Sequence, residues 1–125
     1  MIIQIDKLSQ VPIYIQLTNQ LKHLIILGDL KDHESLPSVR SLAGDLGVNM
    51  HTVNKAYNIL VEENILTKSQ QGYVVNPDRS ITKDRLNDLE KRIENLLLDI
   101  FIHNVPDQEI KEIFNQKVKN LKKEE

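Results

Sequence analysis

The sequence predicts a mostly α-helical chain with one small β-hairpin, in two parts. Residues 1–77 form a compact N-terminal domain, and residues 78–125 form a C-terminal α-helical hairpin. Three observations carry this. The stretch Leu36–Val75 holds two short helical patterns parted by Gly47-Val48-Asn49, a tight-turn sequence. Two short β-rich runs follow, joined by Ser69-Gln70-Gln71-Gly72. From Ser80 onward, apolar residues recur at helical spacing in a segment too small to bury its own stripe. Two helices, a tight turn and a hairpin make a winged helix-turn-helix, a shape used mainly to put one helix into the DNA major groove.

Met1–Gln10 alternates weakly through Ile3 and Ile5, the pattern of a short edge strand. Val11-Pro12 opens the first helix, with Pro12 at the first helical position, where its missing N–H costs nothing. Ile13, Leu17, Leu21, Leu24 and Ile25 follow near a 3.6 period, and Gly28 stops the helix as a left-handed cap. Asp29–Ser35 reads as a polar connector whose charges (Asp29, Lys31, Asp32, Glu34) are solvated. Ser38 is a good N-cap for the second helix, and Pro37 keeps Leu36 extended. Val39, Leu42, Ala43 and Leu46 give that helix one apolar face, and Gly47 ends it. Ala43 is small, as two helices crossing over a short turn require at closest approach.

Asn49 caps the third helix, which runs from about Met50 to Glu63. Val53, Ala56, Tyr57 and Leu60 point inward, and Asn64 tolerates the left-handed position that follows. Ile65–Lys68 and Tyr73–Val75 are the wing strands, with Gly72 supplying a positive φ between them. Asn76-Pro77-Asp78 marks the domain boundary. Beyond it, Leu86, Leu89, Ile93, Leu96, Leu97, Ile100 and Phe101 form a stripe suited to pairing two copies as a homodimer. Asn104-Val105-Pro106 breaks the helix, and Pro106 starts a last one with Ile110, Ile113, Phe114, Val118 and Leu121 on its apolar face. The terminal Lys-Lys-Glu-Glu is expected to fray.

Composition narrows the function. Aromatics make up 4% of the chain and Trp is absent, so the core must be aliphatic. Cysteine is absent too, which excludes disulfides and thiolate metal sites. The four histidines (His23, His33, His51, His103) are scattered without metal-ligand spacing, so no metal and no cofactor is expected. No phosphate loop, nucleophile elbow or framed acid pair occurs, which argues against an enzyme. The N-terminus is not built like a signal peptide, and no apolar run nears the roughly 18 residues of a membrane span. A cytoplasmic protein without membrane contact is expected. Charge runs the other way from nucleic-acid binding: the whole chain sums to −2, and residues 1–77 sum to −1. The acids Glu62 and Glu63, however, stand at the far end of the third helix, away from its polar N-terminal half.

That half carries the candidate readers. Asn49, His51, Thr52 and Asn54 can pair with base edges or meet phosphate, and Lys55 suits phosphate. Arg40, with Ser38 beside it, lies on the side of the second helix away from its apolar face; its planar fork suits guanine or phosphate. Gln71 and Gly72 stand at the wing tip, in reach of the minor groove or backbone. Each has a plain alternative. Arg40 pairs with Asp45 or another acid, Asn49 only caps, His51 is only solvated, and the wing tip is an ordinary turn.

The stretch resembles the DNA-binding domain of the GntR family of bacterial transcription regulators. The matching residues are LPSVRSLA (36–43), LGVN (46–49), TV (52–53), KAY (55–57), Leu60 and the run 62–66, with PIYIQLTNQLKHLIILGDL (12–30) matching the first helix. The short two-helix tail resembles the YtrA subfamily. The resemblance implies a homodimeric repressor on double-stranded DNA, often of operons for ATP-driven membrane transporters, answering to a small-molecule effector. It also implies that the Arg40 position contacts DNA. The sequence departs from the family at KDHES (31–35), where a Pro-Gly pair is usual. It departs again at Met50 and Asn54, where a basic residue is common, and in a wing poor in Gly and Arg. Two functions therefore compete: a dimeric sequence-specific repressor on a palindromic operator, and a winged-helix protein-interaction module without specific DNA binding.

Overall fold

The structure, a computed structural model, describes residues 1–122. In chain order the elements are α1 (Ile13–Leu27), α2 (Val39–Leu46), α3 (Met50–Glu62), β1 (Leu66–Ser69), β2 (Gly72–Val75), α4 (Lys83–Ile102) and α5 (Asp107–Lys122). They fall into two compact units, the first spanning Met1–Arg79 and the second beginning at Ser80.

The first unit is a three-helix core closed by the wing. Leu17, Leu21 and Ile25 of α1 meet Val53, Ala56, Tyr57 and Leu60 of α3, with Leu42 and Ala43 of α2 against them. Leu30, Leu36, Leu66, Tyr73 and Val75 close the remaining side. All four inward residues of α3 are fully buried, as their i, i+3, i+4, i+7 spacing requires. The helix ends follow local chemistry. Ser38 Oγ accepts from the Ser41 N–H (3.1 Å), and Asn49 Oδ1 accepts from the His51 N–H (2.7 Å). Gly28 and Gly47 take left-handed φ values of +80° and +65°. Asn64 does the same past α3, at φ +63°.

Four expectations need correction. Pro12 is the N-cap of α1, not its first helical residue; its ψ is 144° and its carbonyl accepts from Ile15 and Gln16. Fixed φ suits either side of a helix start, so the sequence left that boundary open by one residue. The edge strand read into Met1–Gln10 does not form. Instead, the Gln4 N–H donates to Gln20 Oε1 and the Gln4 carbonyl accepts from Gln20 Nε2. Two residues on, the Asp6 N–H and carbonyl make the same pair of bonds with Gln16. Glutamines one turn apart on α1 rise about 6 Å. Two extended residues rise about 6.6 Å, so the spacings match. Side-chain amides of α1 thus replace the missing neighbour strand.

The connector 29–35 is not merely solvated. The His33 N–H donates to the Val75 carbonyl, the Val75 N–H to the Glu34 carbonyl and the Leu36 N–H to the Tyr73 carbonyl, each at 2.9 Å. Ser35 bridges Val74 in antiparallel fashion. Strand β2 therefore pairs on both sides: with β1 in the register Leu66↔Val75 to Ser69↔Gly72, and with this segment on the other. Backbone pairing leaves no apolar signature in side chains that point outward, so composition hid it. Asp32 also forms an ion pair with Arg79 at 2.6 Å. Finally, the first wing strand is displaced by one residue, starting at Leu66 and ending at Ser69.

In the second unit, Thr82 Oγ1 caps α4 by accepting from the Arg85 N–H (3.2 Å). Asn104, at φ +54°, helps turn the chain before Pro106. Helix α5 opens on Asp107 and Glu109 and closes on Lys119 and Lys122, complementing its dipole. No residue of either helix is buried. Leu86, Ile93, Leu96 and Phe101 are all exposed. Leu89, Leu97 and Ile100 are half-buried. The expected fraying of the Lys-Lys-Glu-Glu end falls largely on residues 123–125, outside the described residues.

Candidate nucleic-acid interface

Two tyrosines join three elements into one surface. Tyr57, in the middle of α3, donates its hydroxyl proton to the Pro37 carbonyl just before α2 (2.8 Å). Tyr73, on β2, packs edge-on against the Tyr57 ring, with centroids 4.7 Å apart and planes at 66°. Its hydroxyl reaches Asn58 Oδ1 (3.3 Å) and Asn54 Oδ1 (3.5 Å) on α3. The start of α2, the exposed side of α3 and the wing are therefore held in register through side chains. Burial, and secondarily Tyr73, push the Tyr57 hydroxyl well above its ordinary pKa, which keeps it a proton donor.

On this scaffold the nine candidate residues are placed as follows. Ser38 and Arg40 are exposed at the start of α2. The Ser38 oxygen is occupied by capping, while its hydroxyl proton stays available. Among the described residues, Arg40 makes no ion pair, so the pairing with Asp45 does not occur. Asn49 is exposed but committed as a cap. His51 is exposed, Thr52 half-buried, and Asn54 exposed with its oxygen turned toward Tyr73. Lys55 is exposed, with Nζ 3.9 Å from the centroid of the Tyr14 ring on α1, a cation–π contact. At the wing tip, the Gln71 N–H donates to Ser69 Oγ (3.2 Å), and Ser69 Oγ donates to the Gly72 carbonyl (3.3 Å). Gly72 sits at φ +113°, a conformation reserved for glycine.

Three participants were not legible beforehand. Tyr14 steadies Lys55. Lys68 Nζ lies 5.5 Å from the Tyr73 ring centroid. Lys7 Nζ donates to the Gly47 carbonyl (2.8 Å), putting an ammonium at the turn between α2 and α3. The first and the last join residues about 40 apart in sequence, for which no local pattern exists, whereas Lys68 and Tyr73 face each other across the wing hairpin. Glu63, at the far end of α3, pairs with Lys22 at 2.8 Å and so is partly neutralised. Among the described residues, no three His, Asp or Glu side chains cluster as a metal site would need, and no helix is long and apolar enough to cross a membrane.

Residues 13–75, from α1 to the end of the wing, match the family described as bacterial regulatory proteins, gntR family. The chain belongs to the gntR family. Its members are transcription regulators that bind DNA, not enzymes. This gntR-family chain is 35% identical over 100 residues to the HTH-type transcriptional repressor YtrA of Bacillus subtilis (strain 168), covering 78% of the chain and 77% of that protein. Its fold is similar to that of a transcriptional antiterminator from Listeria monocytogenes EGD-e, with a TM-score of 0.91 at 25% identity over 98% of this chain and 93% of that one. It is also similar to AraR(DBD) solved in complex with an operator, with a TM-score of 0.53 at 26% identity over 60% of this chain and 98% of that one.

Proposed function

We propose that this gntR-family chain is a homodimeric, sequence-specific repressor working in the cytoplasm on a roughly palindromic operator. Residues 1–77 bind DNA, and residues 78–125 pair two copies and are where an effector acts. The observation that carries the reading is Arg40: an exposed guanidinium in the first turn of α2, without an ion pair among the described residues. An unpaired Arg fork on the surface is free to clamp phosphate or guanine. The likeness to the repressor YtrA supports repression, and the AraR(DBD) complex supports an operator as partner. The unburied stripe Leu86–Phe101 supports a two-fold dimer, which would place two α3 helices on two half-sites. The target we put forward, as the family resemblance of the sequence implies, is an operon for an ATP-driven membrane transporter.

Gel shift on the DNA upstream of its own gene, at about 0.15 M salt, tests the reading. Binding should be lost when the palindrome is scrambled at constant composition; equal binding to both would overturn it. The −1 charge of residues 1–77 favours the second reading, a docking module for another protein. That reading requires no salt-dependent duplex affinity at all, whereas phosphate contacts impose a steep fall with salt.

A further inference from the structure

We infer that the Tyr73 hydroxyl decides which base Asn54 reads, by drawing the Asn54 carbonyl oxygen toward the wing and leaving its amide N–H₂ as the outward edge. This rests on the DNA-reading role proposed above. The hydroxyl is fixed in space from three sides. The ring is 7% exposed, packs edge-on against Tyr57, and carries Lys68 Nζ 5.5 Å from its centroid. The Tyr73 backbone is pinned as well, its carbonyl accepting from the Leu36 N–H.

A phenol has one proton. Its two neighbours, Asn54 and Asn58, stand one helical turn apart and both offer an acceptor oxygen, at 3.5 and 3.3 Å. The proton therefore serves one of them at a time. While it serves Asn54, that side chain presents donors outward. Adenine is read by an asparagine that both accepts from N6 and donates to N7, so it needs the whole amide edge. An asparagine offering only N–H₂ is satisfied by acceptor-only edges, such as guanine N7 and O6. Tyr73 is thus a positioning residue for specificity, and Asn58 competes with Asn54 for it.

The test is selection from a library with a randomised half-site, run on the full-length protein and three variants. Asn54→Ala identifies the base pair in question as the one whose preference it flattens. At that pair the wild type should accept G as well as A, and Tyr73→Phe should move the preference toward A by roughly fivefold or more. Asn58→Ala, an exposed change that leaves the core intact, should move it the other way, since Asn54 then has the proton to itself. The salt slope should be the same in all, because no phosphate contact is altered. A Tyr73→Phe profile identical to wild type would overturn the inference. So would a shift that persists in the Asn54→Ala background. Should Tyr73→Phe fail to fold, Asn58→Ala decides alone: an unchanged profile overturns it. A wild type without any sequence preference would instead overturn the DNA-reading role itself.

Discussion

At the residue scale, capping chemistry is local and long-range partners are not. Ser38 and Asn49 are legible as caps because their oxygens bond N–H groups two or three residues onward. The partner of Asn54 lies 19 residues away on another element, and no local rule links the two. Arg40 falls between these cases. Its direction follows from helical spacing, but its freedom from Asp45 depends on how both side chains lie. Arg40→Ala should lower operator affinity at least about tenfold, the worth of one charged hydrogen bond. Thermal melting should hardly move, since the side chain supports nothing in the core; unchanged affinity in the gel shift would refute the assignment. Tyr57→Phe separates structure from recognition. It keeps the ring but strands the Pro37 carbonyl, and should cost about 1–2 kcal/mol in urea unfolding. A midpoint equal to wild type would mean that the hydroxyl does not tie α2 to α3.

At the scale of elements, every helix was legible and both extra backbone pairings were not. Periodicity reports which face is buried, so α1, α2 and α3 follow from their apolar residues. The N-terminal segment and the 33–36 segment contribute backbone groups instead, and those carry no residue code. Gln16 and Gln20 look like ordinary polar helix positions until the chain is seen lying beside them. Gln20→Ala should free the Gln4 amide and speed its hydrogen exchange by about tenfold or more, with global stability moving by less than about 1 kcal/mol. Exchange at the wild-type rate would show that the segment is held by something else. At the wing tip, Gly72→Ala meets no steric obstacle, yet its φ of +113° is strained for any side chain. A cost of about 1–3 kcal/mol, read from thermal unfolding, is expected from the backbone alone.

For the whole molecule, charge and unburied area point to the same requirement. A domain of net −1 is expected to hold DNA weakly as a single copy, because phosphate contacts supply much of the affinity. Pairing two copies doubles the contacts. With Arg40 and Lys55 as cationic contacts in each copy, the slope of log affinity against log salt should be about −4 for the dimer. The exposed stripe of α4 is the seam we propose, since Leu86, Ile93, Leu96 and Phe101 stand in water in the single chain. Leu97→Asp puts a charge into that seam and should yield monomers in sedimentation, with operator binding lost in parallel. A variant that still sediments as a dimer would place the seam elsewhere.

The sequence by itself determined the helices, the caps at Ser38, Asn49, Gly28 and Gly47, the tight turn, the presence of the wing and the family. All of these rest on spacing and local backbone chemistry within a few residues. The tertiary structure decided how the candidate reading surface is wired: Tyr57 to Pro37, Tyr73 to Asn54 and Asn58, Lys55 to Tyr14, and β2 to the connector before α2. Such contacts join residues far apart in the chain. They form only when the buried faces of α1, α2 and α3 have already fixed where each exposed side chain stands.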